Sequence, residues 1–127
     1  MTKKRDPLLE GKLFEEYAWP TVRRNFPLWE GWHRVEQMTL PSGIRPDNVL
    51  YNEETQDAVI VEMKDRAEIK ETDVRKVRRY MDEIREMVEL RGVRGFLVIA
   101  WDTIVHPQVR RLAKQLGMKI RRLEWRR

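Results

Sequence analysis

Two carboxylates and a lysine in the middle of the chain have the residue types and the spacing that could hold a divalent metal ion. Glu62 and Lys64 follow the apolar run at residues 58–61, with Met63 between them. Because successive side chains of a strand point to opposite faces, Glu62 and Lys64 share one face. Asp47 lies on the preceding predicted strand, and a hairpin closed around residues 52–57 would bring it beside Glu62. The sequence therefore predicts a pair of carboxylates with an ammonium group alongside.

This set of side chains suits the hydrolysis of phosphodiesters. Mg²⁺ and Mn²⁺ prefer oxygen ligands and are commonly held by one or two carboxylates together with water. The metal would polarise the phosphate and lower the pKa of a bound water, while Lys64 would orient that water or stabilise developing charge. The alternative is a surface ion pair between Lys64 and either carboxylate, since 37% of the residues are charged.

The elements expected around these residues begin with a helix and an antiparallel meander. Apolar residues at helical spacing, namely Leu9, Leu13, Phe14 and Tyr17, predict a helix over residues 7–22. Pro20 and Pro27 are expected to end or bend it near Trp19. Strands are predicted at residues 34–40 and 44–51, joined by the turn at 41–43, and a third strand begins at residue 58.

The second half of the chain alternates helices and strands. A helix is predicted over residues 72–91, capped by Thr72 or Asp73 and ended by Gly92. Its buried stripe would consist of Val74, Val77, Tyr80 or Met81, Ile84 and Val88. A strand at 96–100, a helix at 107–116 ending at Gly117, and a strand at 119–125 complete the order α-β-β-β-α-β-α-β. The expected fold class is α/β, with a mixed central sheet flanked by helices and one domain over residues 1–127.

The motif and its setting resemble those of a known family. Residues 45–47 (RPD), followed by an apolar strand carrying residues 62–64 (EMK), are similar to the signature of the PD-(D/E)XK nuclease superfamily. Residues 11–15 (GKLFE) resemble the G-x-x-x-E of that family's first helix. Residues 76–80 (KVRRY) resemble the Q-x-x-x-Y of some branches, although Lys76 stands where the family has Gln. The likeness extends over residues 8–101.

The resemblance implies a restriction-endonuclease-like core and a Mg²⁺- or Mn²⁺-dependent deoxyribonuclease. Asp47 and Glu62 would bind the metal together with the backbone carbonyl of Met63, and Lys64 would serve catalysis. Glu15 would add a further carboxylate to the metal site and to catalysis. If the first helix were rotated differently, Glu10 or Glu16 would take its place.

The small size of the chain limits what else it can do. It resembles the compact archaeal Holliday junction resolvases, which implies a homodimer acting on branched or duplex DNA in repair or recombination, as a structure-selective endonuclease. Two alternatives stay open. The first is a nucleic-acid-binding module without catalysis, and the second is a nuclease subunit of a larger defence or repair complex. The sequence does not distinguish DNA from RNA, or endonuclease from exonuclease action.

A basic surplus indicates a polyanionic partner. The net charge is +5 and the pI is about 9.7, which favours nucleic acid. Four cations lie within five residues, and phosphate binding is the favoured explanation for Arg75 and Lys76. Arg79 and Arg45 are further candidates for DNA contacts. The alternative for the helix is pairing one turn apart, as Arg78–Asp82 and Arg79–Glu83.

A second basic cluster occupies the end of the chain. It would either widen the nucleic-acid footprint or keep an edge strand soluble, and the sequence does not choose between these. Its members are Arg110, Arg111, Lys114, Lys119, Arg121, Arg122, Arg126 and Arg127.

The remaining aromatic residues and histidines carry weaker signals. Trp29 and Trp32 would stack on an unpaired base, pack a dimer, or anchor the core or a loop, and core or loop anchoring is the commonest of these roles. His33 is expected at the surface, and His106 next to a helix start. There is no cysteine, which excludes disulfides and thiolate zinc sites. Without a signal peptide or a long apolar run, we expect a cytoplasmic protein with no membrane contact, and the charged surface is typical of a thermophile.

Overall fold

A computed structural model describes residues 7–125, and side chains from Leu9 to Trp125. It contains three α-helices, five strands and one short 3₁₀ turn over that part of the chain. In order, these are α1 (Pro7–Asn25), the 3₁₀ turn (Leu28–Glu30), β1 (Trp32–Val35), β2 (Asn48–Asn52), β3 (Asp57–Lys64), α2 (Glu71–Met87), β4 (Gly92–Ile99), α3 (Pro107–Gln115) and β5 (Met118–Arg122).

The strands form one mixed sheet in the order β1-β2-β3-β4-β5. The first three strands are antiparallel neighbours; a loop over residues 36–47 joins β1 to β2, and a short turn joins β2 to β3. The last three are parallel, and each parallel step is made through a helix, α2 or α3. This arrangement confirms the α/β fold class and the order of elements expected from the sequence. It places β3 in the centre of the sheet, with its carboxyl end at Lys64.

Helices cover both faces of the sheet and create two apolar cores. On one face, α2 and α3 pack against side chains such as Ala58, Ile60 and Leu97. On the other face, α1 packs against Val59 and Val61. Because neighbouring residues of β3 alternate between these cores, the run at 58–61 is buried on both sides, as parallel strands with helices on both faces usually are. No helix in the described range is long and apolar enough to span a membrane.

The first helix differs from its predicted form in length and in orientation. It continues through Pro20 to Asn25 instead of ending near Trp19. Proline removes one backbone donor, but burial of Phe14, Ala18 and Val22 on the sheet holds the helix together on both sides of it. The exposed side is formed by Leu9, Leu13 and Tyr17, so the predicted stripe is correct only at Phe14.

The hairpin before the site is shorter than predicted. The strands expected at 34–40 and 44–51 are observed at Trp32–Val35 and Asn48–Asn52. Between them the chain leaves the sheet, with a positive φ of 55° at Gln37 and a tight turn in which the Leu40 amide donates to the Ile44 carbonyl at 2.8 Å. Leu40 is buried and Ile44 packs against the α2 side core, so these apolar residues anchor a loop instead of a strand.

Several later boundaries also shift. α2 ends at Met87 instead of residue 91, and Gly92 begins β4 instead of capping the helix. At the start of α2, Lys70 occupies the capping position, and the Asp73 carboxylate inside the first turn accepts the Lys70 amide at 2.8 Å. β4 begins four residues earlier than predicted, and β5 covers Met118–Arg122 instead of residues 119–125. The apolar signal in β4 starts only after Arg94 and Gly95, which explains the late prediction.

Candidate active site

Glu62 and Lys64 lie together at the carboxyl end of the central strand. Glu62 is buried, with 5% of its surface exposed, and the Lys64 Nζ atom lies 3.5 Å from its Oε2 atom. Both residues follow the alternation that places Ala58 and Ile60 in the core beneath α2. The pair therefore projects to the α2 side of the sheet, with its charged groups close together.

Asp47 reaches the same end of the sheet from the neighbouring strand. It immediately precedes β2, whose first residue, Asn48, is paired with Val61. Continuing this antiparallel register by one residue brings Asp47 opposite Glu62. Val49, two residues along, packs in the α2 side core together with Ile60, so Asp47 and Glu62 share a face. Asp47 itself is exposed, so one carboxylate of the pair is open to solvent and the other is buried.

The charges around Glu62 act in opposite directions on its pKa. Burial raises the pKa of Glu62, and the nearby Asp47 carboxylate raises it further. Lys64 lowers it through its charge and its hydrogen bond, and Lys76 on α2 lowers it as well. The net effect is a raised pKa. The ionised carboxylate is thus disfavoured, mainly by burial, and an additional cation would stabilise it.

Glu15 approaches this cluster from α1 on the other side of the sheet. Partial burial raises the pKa of Glu15, and the Asp47 carboxylate adds to that effect, whereas Arg34 and Lys12 lower it. This raised pKa indicates that Glu15 lies near Asp47. Nevertheless, among residues 7–125 no three or more His, Asp or Glu side chains come close enough together to hold a metal ion. Glu15 therefore stands at the margin of the cluster.

The donor set fits Mg²⁺ or Mn²⁺ better than it fits zinc. The residues that converge here offer carboxylate oxygens, and neither histidine appears among the charges that act on Glu62 or Glu15. Mg²⁺ keeps several water ligands and needs only one or two carboxylates from the protein. Asp47 and Glu62 supply that number, and a divalent cation between them would offset the burial and the Asp47 repulsion that raise the pKa of Glu62.

Arg34 is a functional candidate that the sequence reasoning missed. Its guanidinium lies 5.0 Å from the centre of the Trp19 ring, which Arg23 also contacts at 5.2 Å. Arg34 lines two adjoining pockets, one of about 350 Å³ with Glu15 and one of about 360 Å³ with Asp47. A cation that is held against an aromatic ring and lies beside two carboxylates is well placed to bind a phosphate group of the substrate. Only the packing of α1 on the sheet reveals it.

Asn48 was also not identified from the sequence. Its side chain is 4% exposed and lines the pocket that also contains Glu15, Arg34 and Met63. Within the described chain its amide group has no hydrogen-bond partner. Asn48 therefore lines this pocket on the α1 side of the sheet, whereas Asp47 and Glu62 share the α2 side.

The cations of α2 fall into two groups. Arg75, Arg78 and Arg79 each contact an acid one turn away on the same helix, as Arg75–Glu71 at 2.9 Å, Arg78–Asp82 at 3.2 Å and Arg79–Glu83 at 3.9 Å. Lys76 has no ion pair within residues 7–125 and lies 5.9 Å from the centre of the Tyr80 ring. The predicted intrahelical pairs therefore exist, and Lys76 is the cation on this helix that remains available near Glu62.

The other predicted contacts are dispersed. The Arg45 Nε atom donates to Thr39 Oγ1 at 3.0 Å and leaves its charge exposed beside Asp47. Trp32 is buried in the core beneath α1, whereas Trp29 is 84% exposed at the opposite end of the sheet. His33 is exposed, as expected. His106 precedes α3, as expected, and its Nε2 atom lies 3.0 Å from Glu68 Oε1. Arg126 and Arg127 lie outside the described residues.

Comparisons with known proteins agree with this fold. The crystal structure of a repair endonuclease from Pyrococcus abyssi superimposes with a TM-score of 0.60 at 21% identity, over 98% of this chain and 49% of that one. The EndoMS-dsDNA2 complex gives 0.56 at 24% identity, over 88% and 45% of the two chains, and EndoMS in its apo form gives 0.54 at 21% identity, over 99% and 49%. The chain thus spans about half the length of these solved relatives.

Sequence comparison assigns the chain to a family. No curated protein matches it. Residues 23–127 match the model of the endonuclease NucS C-terminal domain, which is most of the chain and includes Asp47, Glu62 and Lys64. The chain therefore belongs to the family of endonuclease NucS C-terminal domains.

Proposed function

We propose that this chain hydrolyses DNA phosphodiester bonds with Mg²⁺ or Mn²⁺ held between Asp47 and Glu62. The observation that carries this proposal is the β2–β3 register, which sets Asp47 opposite Glu62 with the Lys64 Nζ atom 3.5 Å from the Glu62 carboxylate. A surface ion pair would not need a buried glutamate or a second carboxylate that raises its pKa. Membership of an endonuclease domain family supports the same reading.

Each member of the cluster has a distinct role in the proposed reaction. Asp47 and Glu62 would bind the ion, with the backbone carbonyl of Met63 as a further ligand. When bound, the ion would polarise the scissile phosphate and lower the pKa of a coordinated water. Lys64 would donate to that water or to a phosphate oxygen and stabilise the negative charge that develops there. Glu15 would act at the margin, by orienting a water or supplying an additional ligand.

Cations on three sides of the cluster would hold the substrate backbone. Arg34 and Arg45 flank Asp47 on the β1 side, and Lys76 faces Glu62 from α2. Arg75 and Arg79 could join them only by leaving their glutamate partners, Glu71 and Glu83. The exposed Arg75–Glu71 pair is weak, about 0.3–0.5 kcal/mol, so a phosphate could displace it. Glu83 is mostly buried and also accepts the Ser42 amide at 2.7 Å, so Arg79 would leave its partner less readily.

The substrate and the assembly belong to the proposal as well. Two of the similar structures are a repair endonuclease and a complex with dsDNA, which supports DNA as the substrate. We infer a structure-selective endonuclease that acts as a homodimer, because one site per chain cuts one strand and a two-fold dimer would present two sites. Light scattering of the purified chain, alone and with DNA, measures the assembly, and a monomer in both conditions contradicts this part.

A cleavage assay tests the central proposal. The protein would be incubated in Mg²⁺, in Mn²⁺ and in EDTA with labelled DNA substrates, namely a duplex, a single strand, a flap and a four-way junction. RNA counterparts would be tested where they can be made. We expect metal-dependent cleavage of at least one DNA substrate. Asp47→Ala should abolish it while leaving the affinity for DNA unchanged or higher. Asp82→Ala removes a carboxylate from α2, away from the cluster, and should cut as the wild type does.

The outcomes separate the candidate functions. If wild type and Asp47→Ala both bind DNA and neither cuts in any metal, the chain is a binding module. If Asp47→Ala cuts as fast as the wild type, the carboxylate pair is not the active site. Cleavage that appears only when a copurifying protein is added back would indicate a subunit of a larger complex.

A further inference from the structure

The last helix and the last strand carry a cluster of cations that the proposed active site does not use. We define the α3–β5 basic surface as Arg110, Arg111 and Lys114 of α3 together with Lys119 of β5. All four side chains are exposed, and they line a single pocket of about 530 Å³. Its floor is apolar, formed by Ala113, Met118 and Ile120, and no acidic residue lines it.

The ion pairing of this surface differs from that of α2. The three arginines of α2 that the sequence singled out each contact an acid on their own helix. None of the four cations of the α3–β5 basic surface has an ion pair within residues 7–125. α3 contains no acidic residue at all. Arg110 and Lys114 lie one helical turn apart, where like charges repel and disfavour the helix. The positive charge of this surface is therefore not neutralised by the protein.

The same charge continues around the edge of the sheet. β5 is the outermost strand and pairs only with β4. Lys114 and Lys119 also line a second pocket of about 380 Å³ on the other side of that edge, together with Arg94. Arg94 is held over the rings of Phe26 and Trp32, at 5.5 and 5.8 Å. Cations from α3, β4 and β5 thus converge on both sides of one exposed edge.

Protection of an edge strand is the simplest competing explanation. Lysine or arginine on an exposed edge discourages pairing with a second molecule. That purpose is served by charges on β5 itself, such as Lys119 and Arg121. It does not require Arg110 and Arg111 on the covering helix or Arg94 on the inner neighbour. Convergence from three elements on one solvent-open strip is instead what an extended polyanion requires.

We propose that the α3–β5 basic surface binds the sugar–phosphate backbone of DNA, as a second contact outside the cleavage site. It rests on the proposed function only in taking DNA as the ligand. β5 lies two strands from β3, which at the usual spacing of about 4.8 Å places this surface roughly 10 Å from the strand that carries Glu62 and Lys64. A backbone held here would orient the substrate without entering the cleavage site.

The experiment measures how DNA affinity depends on salt. Two double variants, Arg110→Gln with Arg111→Gln and Lys114→Gln with Lys119→Gln, each remove two charges from the surface. The matched control, Arg85→Gln with Arg91→Gln, removes two exposed cations near the end of α2. Affinity for a labelled duplex is measured in EDTA over a range of NaCl concentrations. Each phosphate contact contributes about 0.9 to the slope of log affinity against log salt.

We expect each test variant to lower that slope by about 2, and the control to leave it unchanged. The charges are exposed, so the thermal midpoints should stay close to that of the wild type. With enzyme in excess and at saturation, the rate of one round of cleavage should be unchanged in the test variants. Polyglutamate should compete for binding much less effectively than duplex DNA at equal charge concentration.

Three results would overturn the inference. The first is a slope in both test variants equal to that of the wild type. The second is a loss of slope in the control as large as that in the test variants. The third is competition by polyglutamate as effective as that by DNA, which would indicate an acidic protein partner instead. If the wild type binds with the expected slope but never cuts, the proposed function fails while this inference stands.

Discussion

The Lys64 ammonium lies 3.5 Å from the Oε2 atom of Glu62, two residues earlier on the same strand. This contact is short enough for an ion pair and leaves the lysine with further donors. Lys64 is mostly buried, so its charge acts in a setting where solvent screens it only partly. The lysine therefore serves two groups at once, the carboxylate beside it and any anion that enters the site.

Replacing Lys64 with alanine should reduce cleavage by about 10²–10³-fold, the usual cost of removing one donor to developing charge. Binding of DNA in EDTA should change little, because the exposed cations provide most of that attraction. The measurement is the single-turnover rate in Mg²⁺ at saturating enzyme. Lys70→Ala, at the exposed start of α2, is the matched control and should cut normally. A Lys64→Ala variant that retains the wild-type rate would contradict the assigned role.

Replacing Glu62 with glutamine should stabilise the metal-free protein at neutral pH. Burial and the Asp47 charge raise the pKa of Glu62 in the folded state, so folding favours the protonated carboxyl. Ionising Glu62 therefore costs the folded protein stability. This cost is absent below the pKa that Glu62 has in the unfolded chain, and it is complete above the raised pKa that it has in the folded protein. In EDTA, the thermal midpoint of Glu62→Gln should thus exceed that of the wild type at pH 7.5. The difference should disappear as the pH falls from the folded to the unfolded pKa of Glu62.

A control for that experiment is Glu86→Gln on the exposed side of α2, for which we expect no change in midpoint. Glu62→Gln also loses the ion pair with Lys64, which opposes the expected gain in stability. If the midpoint of Glu62→Gln at pH 7.5 lies below that of the wild type, the ion pair outweighs the cost of burying the charge. This outcome would remove the argument that the cluster is short of positive charge.

Added metal should reverse the order of stability. A ligand that binds only the folded state stabilises that state. When the ligand is in excess, the gain in free energy grows with the logarithm of the ligand concentration divided by the dissociation constant. Mg²⁺ or Mn²⁺ should therefore raise the thermal midpoint of the wild type, and Asp47→Asn and Glu62→Gln should each lose most of that gain. Ca²⁺ provides a comparison ion that also prefers oxygen ligands. An equal rise in all three proteins would place the bound metal elsewhere.

The central site could be anticipated from the sequence because it depends on local rules. Side chains alternate along β3, so Glu62 and Lys64 must share a face. The short turn between residues 52 and 57 sets the register of β2 against β3, which brings Asp47 opposite Glu62. Neither rule depends on how distant elements pack. The sequence therefore predicted Asp47 beside Glu62 even though it misplaced the start of β2 by four residues.

The features that were missed depend on contacts between distant elements. The stripe of α1 that is buried includes Ala18 and Val22 rather than Leu13 and Tyr17, and only docking on the sheet decides this rotation. The same docking brings Trp19 to Arg34. Likewise, the sequence could not tell paired from unpaired cations, so it favoured Arg75, which contacts Glu71, and left the cluster of α3 and β5 undecided.

Replacing Lys76 with glutamine would introduce the residue found at the first position of the Q-x-x-x-Y pattern that residues 76–80 resemble. Lys76 is exposed on α2 and is available near Glu62, so we expect a loss of DNA affinity with little change in stability. If Lys76 contacts one phosphate, the slope of log affinity against log salt should fall by about 1 in the variant. The cleavage rate at saturating enzyme should stay the same as in the wild type. Arg85→Gln, later on the same helix, is the control. An unchanged affinity with a slower saturated rate would instead assign Lys76 to the chemical step.

Two asparagines on β2 offer a test of which buried amide holds the fold together. Asn48 and Asn52 lie on the same face of the strand and are 4% and 2% exposed. The Asn52 amide donates to the Glu30 carbonyl at 2.9 Å, and its oxygen accepts the amides of Glu54 and Thr55 at 3.1 and 3.2 Å. The Asn48 amide has no such partner within residues 7–125.

Leucine has nearly the shape of asparagine and no polar atoms in its side chain. Asn52→Leu leaves three backbone groups without their partner and should cost about 1–3 kcal/mol or more in the free energy of unfolding. Asn48→Leu removes an amide that lines a pocket and has no partner within residues 7–125, so stability should change much less than in Asn52→Leu. Urea denaturation of the three proteins measures both effects. If Asn48→Leu is destabilised as much as Asn52→Leu, the Asn48 amide is structural. If it is stable but cleaves poorly, Asn48 is retained for what enters the pocket that it lines with Glu15 and Arg34.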